Sequence, residues 1–509
     1  MKIAVIDLGY NSEKLANYDV KSSNSFKTVQ EYSIKARLGE GISEQGLLCN
    51  ESVSRAIEGL KFFREIIHLK SIKHVLPIAT SAVREAKNKE DFLRKVYKET
   101  DFEFRVLSPT EEALYSYLGA SRATCIPNLL FFDLGGGSLE IVVTRDYKVL
   151  KIISLPLGAL RLSEKYSMRG DGTFSDKEIF EVERQVLKVL PNLKDVKICG
   201  QTQVIAVGGS IRAIARYDQK IKGYPFNILH NYVIDYQSIQ LIKNKLCKLK
   251  SSDIVNIDVI GNNRGYTITA ASVVVQKLME KFEIPNLIVS TQGLREGCLL
   301  EHVNNLSGMR AQPLDEKRIQ HFVRDACKPP FTSNYTVRFA RMLTYYKLIN
   351  KREYEILLYA NKSLSERLVE YNQADAIFYL IMTEVFPRLT HEEQLILALS
   401  LVFRQKPKAA EKLYRMYKGI LKFHNEKSIQ KIAVCIDLTE IFERYKARVE
   451  LSKSYSRRFL MKITAKSRFL PQQIINDKIK MFESAFDIGL TFLILGDKKY
   501  LNKLINSCI

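Results

Sequence analysis

Cysteine in this chain has none of the arrangements that hold a metal or a covalent framework. The eight cysteines (49, 125, 199, 247, 298, 327, 435 and 508) are scattered, with no C-x-x-C pair and no nearby histidine. That argues against a zinc site and a disulfide framework, and it fits a reducing cytoplasm. Long apolar runs are missing as well: none reaches the about 18–20 residues needed to cross a bilayer. Residues 1–12 read as a strand and turn rather than a charged-then-apolar leader, so neither a membrane anchor nor a signal peptide is expected. No internal repeat of solenoid period is visible either. The expected location is the cytoplasm.

At 509 residues the chain is long enough for more than one domain, since single cores rarely grow past about 250–300 residues. Its 46% hydrophobic and 26% charged content is that of a soluble globular protein. The net charge of +22, from 78 basic and 56 acidic residues, is uneven. Residues 311–509 carry 35 basic and 21 acidic residues, +14, and the first 310 carry the remaining +8. Such an excess raises the local concentration of polyanions: nucleic acid, acidic lipid or inorganic polyphosphate.

Two acidic glycine turns stand out, Asp7-Leu8-Gly9-Tyr10-Asn11-Ser12 and Asp133-Leu134-Gly135-Gly136-Gly137-Ser138-Leu139-Glu140. Each follows an apolar run, Ile3 to Ile6 and Leu129 to Phe132, as a strand entering a tight turn does. Glycine lets successive backbone N–H groups converge on an anion, and an aspartate at a strand end can hold a metal or orient water. Two such turns suggest a duplicated fold gripping a polyphosphate from both sides.

Residues 1–300 alternate strand-like and amphipathic helical stretches, the pattern of α/β layers. Strands are expected at Val75–Ala79, Phe104–Leu107, Leu129–Phe132, Ile141–Thr144, Val204–Val207 and Leu287–Val289. The segment Asn304–Pro313, rich in Asn, Gly and Pro, reads as a linker. Beyond it glycine nearly disappears and 3.6-period stretches dominate, which predicts an all-α domain over 314–509. The α/β part divides into expected lobes at 1–118 and 119–305.

Further segments suit a phosphate site. Ala79-Thr80-Ser81-Ala82-Val83-Arg84 leaves a strand and places Arg84 at the start of a helix, where it can bind a phosphate by two parallel hydrogen bonds. Ser108-Pro109-Thr110-Glu111-Glu112 resembles a helix start, and the helix dipole alone accounts for two acidic residues there. Val207-Gly208-Gly209-Ser210-Ile211-Arg212 is another strand–glycine–helix junction, suited to a phosphate or nucleotide edge or simply to close packing. Gly293-Leu294-Arg295-Glu296-Gly297 ends the region similarly, with Arg295 and Glu296 able to pair on a helix.

In order, DLGYNS, ATSAVREAKN, SPTEEA, DLGGGSLE, SLPLGALRL, AVGGSIRAIA and TQGLREG closely resemble the exopolyphosphatase and guanosine pentaphosphate phosphohydrolase family, over roughly the first 300 residues. The resemblance implies the actin-like (ribonuclease H-like) architecture of the acetate- and sugar-kinase superfamily: two α/β lobes with a cleft between them, each giving one phosphate loop. It implies Glu112 as catalytic base, with Glu111 the alternative if the register is off by one. It also implies Arg84 as phosphate-binding arginine, Asn11, Ser12 and Gly135, Gly136, Gly137 and Ser138 as the phosphate loops, and Asp133 and Glu140 as holders of Mg²⁺ or Mn²⁺ and of the attacking water. Asp7 occupies the first loop's aspartate position, a further candidate metal ligand; Gly208, Gly209 and Ser210 complete the candidate phosphate contacts.

The implied chemistry is hydrolysis of a phosphoanhydride, with charge neutralised on the terminal phosphate and water placed in line with the departing oxygen. Three departures from the family pattern matter. Tyr10 replaces the usual serine, which is expected to narrow that side of the cleft or alter how the terminal phosphate sits. Leu114 stands where arginine is typical, removing a helper charge. The polar stretch Asn17–Lys27 predicts a short or irregular second strand.

The C-terminal domain loosely resembles the helical domain of longer family members, related to HD-type phosphohydrolases, with Leu389–Ile396 the best local match. It lacks the His…His-Asp set: Leu358–Val369 has no histidine, and His391 and His424 cannot supply a metal cage. A degenerate, catalytically dead HD domain is expected, and by resemblance a homodimer through it. Its basic clusters, Arg404 to Lys422 and Arg444 to Arg468, the second interleaved with Tyr445, Tyr455 and Phe459, read as a solvated helix face or a track for long polyphosphate. The expected activity is exopolyphosphatase, dependent on Mg²⁺ or Mn²⁺ and acting on inorganic polyphosphate. The alternatives are guanosine pentaphosphate 5′-phosphohydrolase and a polyphosphate- or nucleotide-binding regulator with little turnover.

Overall fold

Both central strands of the first lobes are apolar on either face, which a sheet tolerates only when both faces are covered. In the computed structural model Ile3, Ala4, Val5 and Ile6 are fully buried, as are Leu129 and Phe131. The structure describes residues 1–22, 25–42, 46–168, 170–193, 202–261, 264–306, 316–327, 333–367, 374–455, 457–465 and 472–496. The expected linker lies largely outside them. The chain divides into two compact units, Met1–Cys327 and Lys328–Ile509.

The first unit holds two sheets. One is built from β1 (Lys2–Leu8), β2 (Glu13–Ser22), β3 (Ser25–Ile34), β4 (His74–Ala79) and β5 (Arg105–Val106), in the order β3-β2-β1-β4-β5. The other is built from β6 (Leu129–Leu134), β7 (Leu139–Arg145), β8 (Lys148–Leu155), β9 (Gln203–Val207), β10 (Val233–Asp235) and β11 (Asn286–Val289), in the order β10-β11-β9-β6-β7-β8. Read from its other end, β8-β7-β6-β9-β11 repeats the first sheet. In each, three antiparallel strands are followed by parallel neighbours. The duplication suggested by the two glycine turns is therefore a duplication of topology.

Helices cover the sheets by simple amphipathic spacing. Asn50–Leu69 turns Val53, Ala56, Ile57, Leu60, Phe63 and Ile67 inward, the i, i+3, i+4 stripe of a core-facing helix. The helix Pro109–Thr124 runs on through residues 118 and 119, between the two lobes, and Leu294–Leu306 packs against it. The helix Glu316–Ala326 also packs on it and belongs to the first unit.

Two expectations are corrected in this unit. β2 is not short: it spans ten residues and pairs with β1 from Glu13 to Asp19, although its ladder with β3 is irregular, with register shifts at Asn17/Tyr18 and Val20/Ser22. Its polarity misled because several polar side chains point inward, Tyr18 donating its hydroxyl to Glu296 at 2.5 Å. The cysteines are not all unpaired: Cys125 and Cys327 form a disulfide, their Cα atoms 5.3 Å apart across a sequence separation of 202. Only the meeting of two helix ends brings them together, and no local spacing reveals that.

The second unit is not all-α, as the sequence suggested. Its helices, with His391–Gln405 buried along most of its length, are accompanied by a three-stranded sheet of β12 (Arg448–Tyr455), β13 (Arg458–Ala465) and β14 (Gly489–Gly496), in the order β12-β13-β14. Phe459, Met461, Ile463 and Ala465 are buried in alternation, the period-2 signature of a strand. Lys462 between them, with Arg457 and Arg458 just before, made the segment read as a basic helix face. The basic clusters are also partly neutralised: Arg404 binds Asp437 and Glu440, Arg448 binds Glu450 and Arg457 binds Asp487. Lys466 and Arg468 lie outside the described residues. Glu392 accepts hydrogen bonds from the His424 ring and from the backbone N–H groups of Phe423 and His424. Among the described residues no group of three or more His, Cys, Asp or Glu could hold a metal, and no helix is long and apolar enough to cross a membrane.

One residue of β2 carries a stability cost. Glu13 is fully buried, and among the described residues neither carboxylate oxygen has a hydrogen-bond partner. It fills the space over Gly59, where a Cβ would come within 1.4 Å of its Oε1. Burial pushes its pKa up to about 9. A carboxyl raised in the folded state leaves stability intact at low pH and removes it as pH rises from the ordinary glutamate range toward that value. Denaturant unfolding should therefore show the wild type losing on the order of a few kcal/mol between pH 5 and pH 9. A Glu13→Met variant should lose distinctly less, and parallel profiles would refute this.

Candidate active site

The two glycine turns close in the same way. The Gly9 N–H donates to the Ser12 carbonyl at 3.2 Å, and the Gly135 N–H donates to the Ser138 carbonyl at 3.0 Å. Each turn joins antiparallel strands, β1 to β2 and β6 to β7, and sets an aspartate at the end of a central strand. Tyr10 does not act as a free obstruction: it is 2% exposed, with its ring against Gly137 of the opposite loop. A Cβ on Gly137 would sit 2.4 Å from that ring and 2.6 Å from the Ser81 hydroxyl, so glycine there is a condition of the lobes meeting. Leu114, in place of a helper arginine, is buried in the core with Tyr117 and Phe131.

The helix Pro109–Thr124 separates the two candidate glutamates. Glu111 is the N3 residue of a capping box: its carboxylate accepts from the Ser108 N–H at 2.9 Å, and the Ser108 hydroxyl accepts from the Glu111 N–H. Glu111 also binds Arg105 on the exposed side. Glu112, one position on, lines the cleft and accepts from Arg84 at 2.8 Å. The same Arg84 nitrogen donates to the Leu107 carbonyl at 2.7 Å, which fixes the guanidinium behind the glutamate.

Asp133 and Glu140 face each other across the β6–β7 ladder. The Ser116 hydroxyl donates to Asp133, and the Ser154 hydroxyl donates to Glu140 at 3.0 Å. Burial is the main reason Glu112, Asp133 and Glu140 resist ionisation. It pushes Glu112 up to about 7, with Arg84 pulling it back and Asp133 and Asp7 adding to the rise. Glu140 is raised by burial and by the nearness of Glu112 and Asp133; Asp133 is raised by burial with a smaller push from Asp7. Crowded, buried carboxylates fit a divalent cation, which would relieve their repulsion. There is no ready-made cage of three or more such ligands among the described residues. Magnesium suits this, since it usually takes about one or two carboxylates and completes its shell with water and substrate phosphate.

The same cavity also carries cations. Lys14, Arg212, Arg264 and Arg295 line a cleft of about 110 Å³ together with the carboxylates. Lys14 Nζ lies 3.7 Å from Asp7. Arg264 lies over Gly209, where a Cβ would be 1.8 Å from its guanidinium, which explains a glycine at that junction. Arg295 pairs with Glu31 at 2.9 Å rather than with Glu296, which instead accepts from Tyr18 and from the Gly293 N–H.

Of the residues singled out from sequence, the cavity brings together Asp7, Asn11, Ser12, Glu112, Asp133, Gly135, Gly136, Ser138, Glu140, Gly208 and Gly209. Arg84 stands behind Glu112, Gly137 lies under Tyr10, and Ser210 is 1% exposed within its helix; these three do not line it. Lys14, Arg264 and Ser116 were not singled out. Lys14 sits two residues past a recognised loop, the one usable signal; Arg264 and Ser116 belong to no motif.

Two lobes of one strand order, each closing an aspartate–glycine–serine turn on a shared cavity, define an actin-like phosphate-handling fold. The chain belongs to the Ppx/GppA phosphatase family, whose profile matches residues 18–306. A bifunctional 3-dehydroquinate synthase/phosphatase of Fusobacterium nucleatum is 27% identical over 312 residues, covering 59% of this chain and only 46% of that relative. A guanosine-5′-triphosphate,3′-diphosphate pyrophosphatase of Pseudoalteromonas atlantica is 24% identical over 71% of each chain. Exopolyphosphatase 1 of Mycobacterium tuberculosis is 25% identical over 60% of this chain and 89% of that protein. Among solved structures, the Aquifex aeolicus family member aligns at a TM-score of 0.51 and 28% identity, over 61% of this chain and 99% of its own.

The Arg84–Glu112 pair yields a pH test. Arg84 opposes the rise in the Glu112 pKa, so an Arg84→Met variant should shift the acid limb of the pH–rate profile for phosphate release to higher pH. A lower rate with an unmoved limb would mean that Arg84 does not tune Glu112.

Proposed function

We propose that the protein is an exopolyphosphatase that releases orthophosphate from the end of inorganic polyphosphate. The observation that carries this reading is a division in the lining: Glu112, Asp133 and Glu140 line the first cavity alone, whereas Lys14, Arg212, Arg264 and Arg295 also line the cavity beside it. A linear polyanion suits that division: its reacting end needs a base and a metal-holding pair, and the rest needs fixed positive charge.

In this reading the terminal phosphate rests on the Asn11–Ser12 and Gly135–Ser138 turns, whose N–H groups and hydroxyls bind its oxygens. Glu112 removes a proton from the attacking water, a role for which a carboxyl near pKa 7 is well matched at neutral pH. Ser116 and Ser154 hold Asp133 and Glu140 in place. Mg²⁺ or Mn²⁺ bound by those carboxylates would neutralise charge on the phosphate and lower the pKa of the water. Arg84, behind Glu112, keeps that carboxylate oriented. Lys14, Arg212 and Arg264 hold the phosphates that follow. No covalent enzyme intermediate is needed.

A second reading, guanosine pentaphosphate 5′-phosphohydrolase, is favoured by the match to the Pseudoalteromonas relative across 71% of both chains. The same carboxylates serve either substrate. A regulator with little turnover is the third reading.

Orthophosphate release from long-chain polyphosphate and from guanosine pentaphosphate, measured side by side with Mg²⁺, separates them. The expected outcome is faster release from polyphosphate, reduced about 10²–10⁴-fold in Glu112→Gln, with binding retained. Preference for the nucleotide would support the second reading, and binding without release would support the third.

A further inference from the structure

Beside the first cavity lies a second of about 340 Å³, which shares Asn11, Ser12, Lys14, Gly209, Arg212, Arg264 and Arg295 with it. Six basic residues line it: Lys14, Lys35, Arg212, Arg216, Arg264 and Arg295. One carboxylate does so, that of Glu31 on β3. Arg212, Arg216 and Arg264 make no ion pair among the described residues, and their crowding has a cost. Arg264 is pushed down to about 10 by burial and by Arg212 and Arg216. Glu31 sits within this field with its oxygen 2.9 Å from the Arg295 guanidinium; its side chain is 45% exposed and that of Arg295 is 8% exposed.

A guanidinium offers the same planar fork to a carboxylate as to a phosphate. Glu31 therefore occupies, from solvent, the face of Arg295 that a phosphate in this cavity would use. The Glu31 side of the pair is open to solvent, so a dense polyanion can compete for the guanidinium. β3 pairs with β2 through its backbone, so the Glu31 carboxylate is not part of the ladder.

We propose that Glu31 is a specificity-determining residue, a resident anion held on Arg295 that an incoming phosphate chain must displace to fill the second cavity. The inference rests on the reading that a phosphate chain enters this cleft. It makes the site discriminate by length. A ligand too short to reach the second cavity leaves the Glu31–Arg295 pair intact and is bound without hindrance. A long chain meets one repelling charge among six attracting ones, and its affinity is set below what the cations alone would give.

The test is equilibrium binding of long-chain inorganic polyphosphate and of pyrophosphate, without divalent metal, to the wild type and to Glu31→Gln. The exposed Glu58→Gln on the helix Asn50–Leu69 serves as a charge-matched control. Glu31→Gln should bind the long chain about twofold to fivefold more tightly, the size of a partly exposed ion pair, with a smaller gain for pyrophosphate and none in Glu58→Gln. Unchanged or weaker binding of the long chain would overturn the proposal. So would an equal gain for both ligands, or the same gain in Glu58→Gln, because either would reduce the effect to net charge. Orthophosphate release by the wild type, run in parallel, reports on the hydrolase reading separately. Under turnover the gain in Glu31→Gln should appear in KM for long chains while kcat stays unchanged.

Discussion

Like charges forced together in a buried cleft are the constraint on which this structure turns. Glu112, Asp133 and Glu140 are held close enough, and dry enough, that each carboxyl is pushed above its ordinary range. Lys14, Arg212, Arg264 and Arg295 line the same cavity. A folded chain keeps such groups only where their interactions offset the desolvation, or where a ligand does so when it binds. Arg84 does the first for Glu112, and Lys14 stands beside Asp7. The remainder is a stored electrostatic imbalance that a phosphate chain with its metal would cancel.

The scaffold holds that imbalance by duplication. Two sheets of the same strand order end their central strands in the same closed turn, so two aspartates and two turns line one cavity. The Tyr10 ring against Gly137 brings the loops into contact. The helix Pro109–Thr124 passes between the lobes and delivers Glu112 and Ser116 on one face, while its capping box uses up Glu111. Rigid strand ends and helix starts thus carry the polar groups, as precise positioning of a site demands.

What could be read from the sequence was local. Asp-x-Gly-x-x-Ser after an apolar run announces a strand and turn because glycine and strand hydrophobicity act over a few residues, and both turns formed where the pattern put them. The two lobes and the Ppx/GppA membership followed from the order of such segments. The cations were harder to see. Arg264 reaches Gly209 across more than fifty residues, and Lys14 looked like the start of a polar, irregular stretch. Glu111 and Glu112 are equivalent as helix-start residues; only the direction of the helix tells them apart. In the second unit, the basic residues scattered over 444–468 hid β12 and β13, since exposed lysines and arginines fit a helix face as readily as a strand face. The Cys125–Cys327 link depends on tertiary proximity alone.

The central claim is an orientation: chain end at the carboxylates, following phosphates at the arginines. A crystal structure with Mg²⁺ and a non-hydrolysable, methylene-bridged polyphosphate tests it most directly. The terminal phosphate should lie against the Gly135–Ser138 turn beside Glu112, with the next phosphates beside Arg212 and Arg264. A terminal phosphate at the arginines, or a chain bound wholly outside the cleft, would contradict the account.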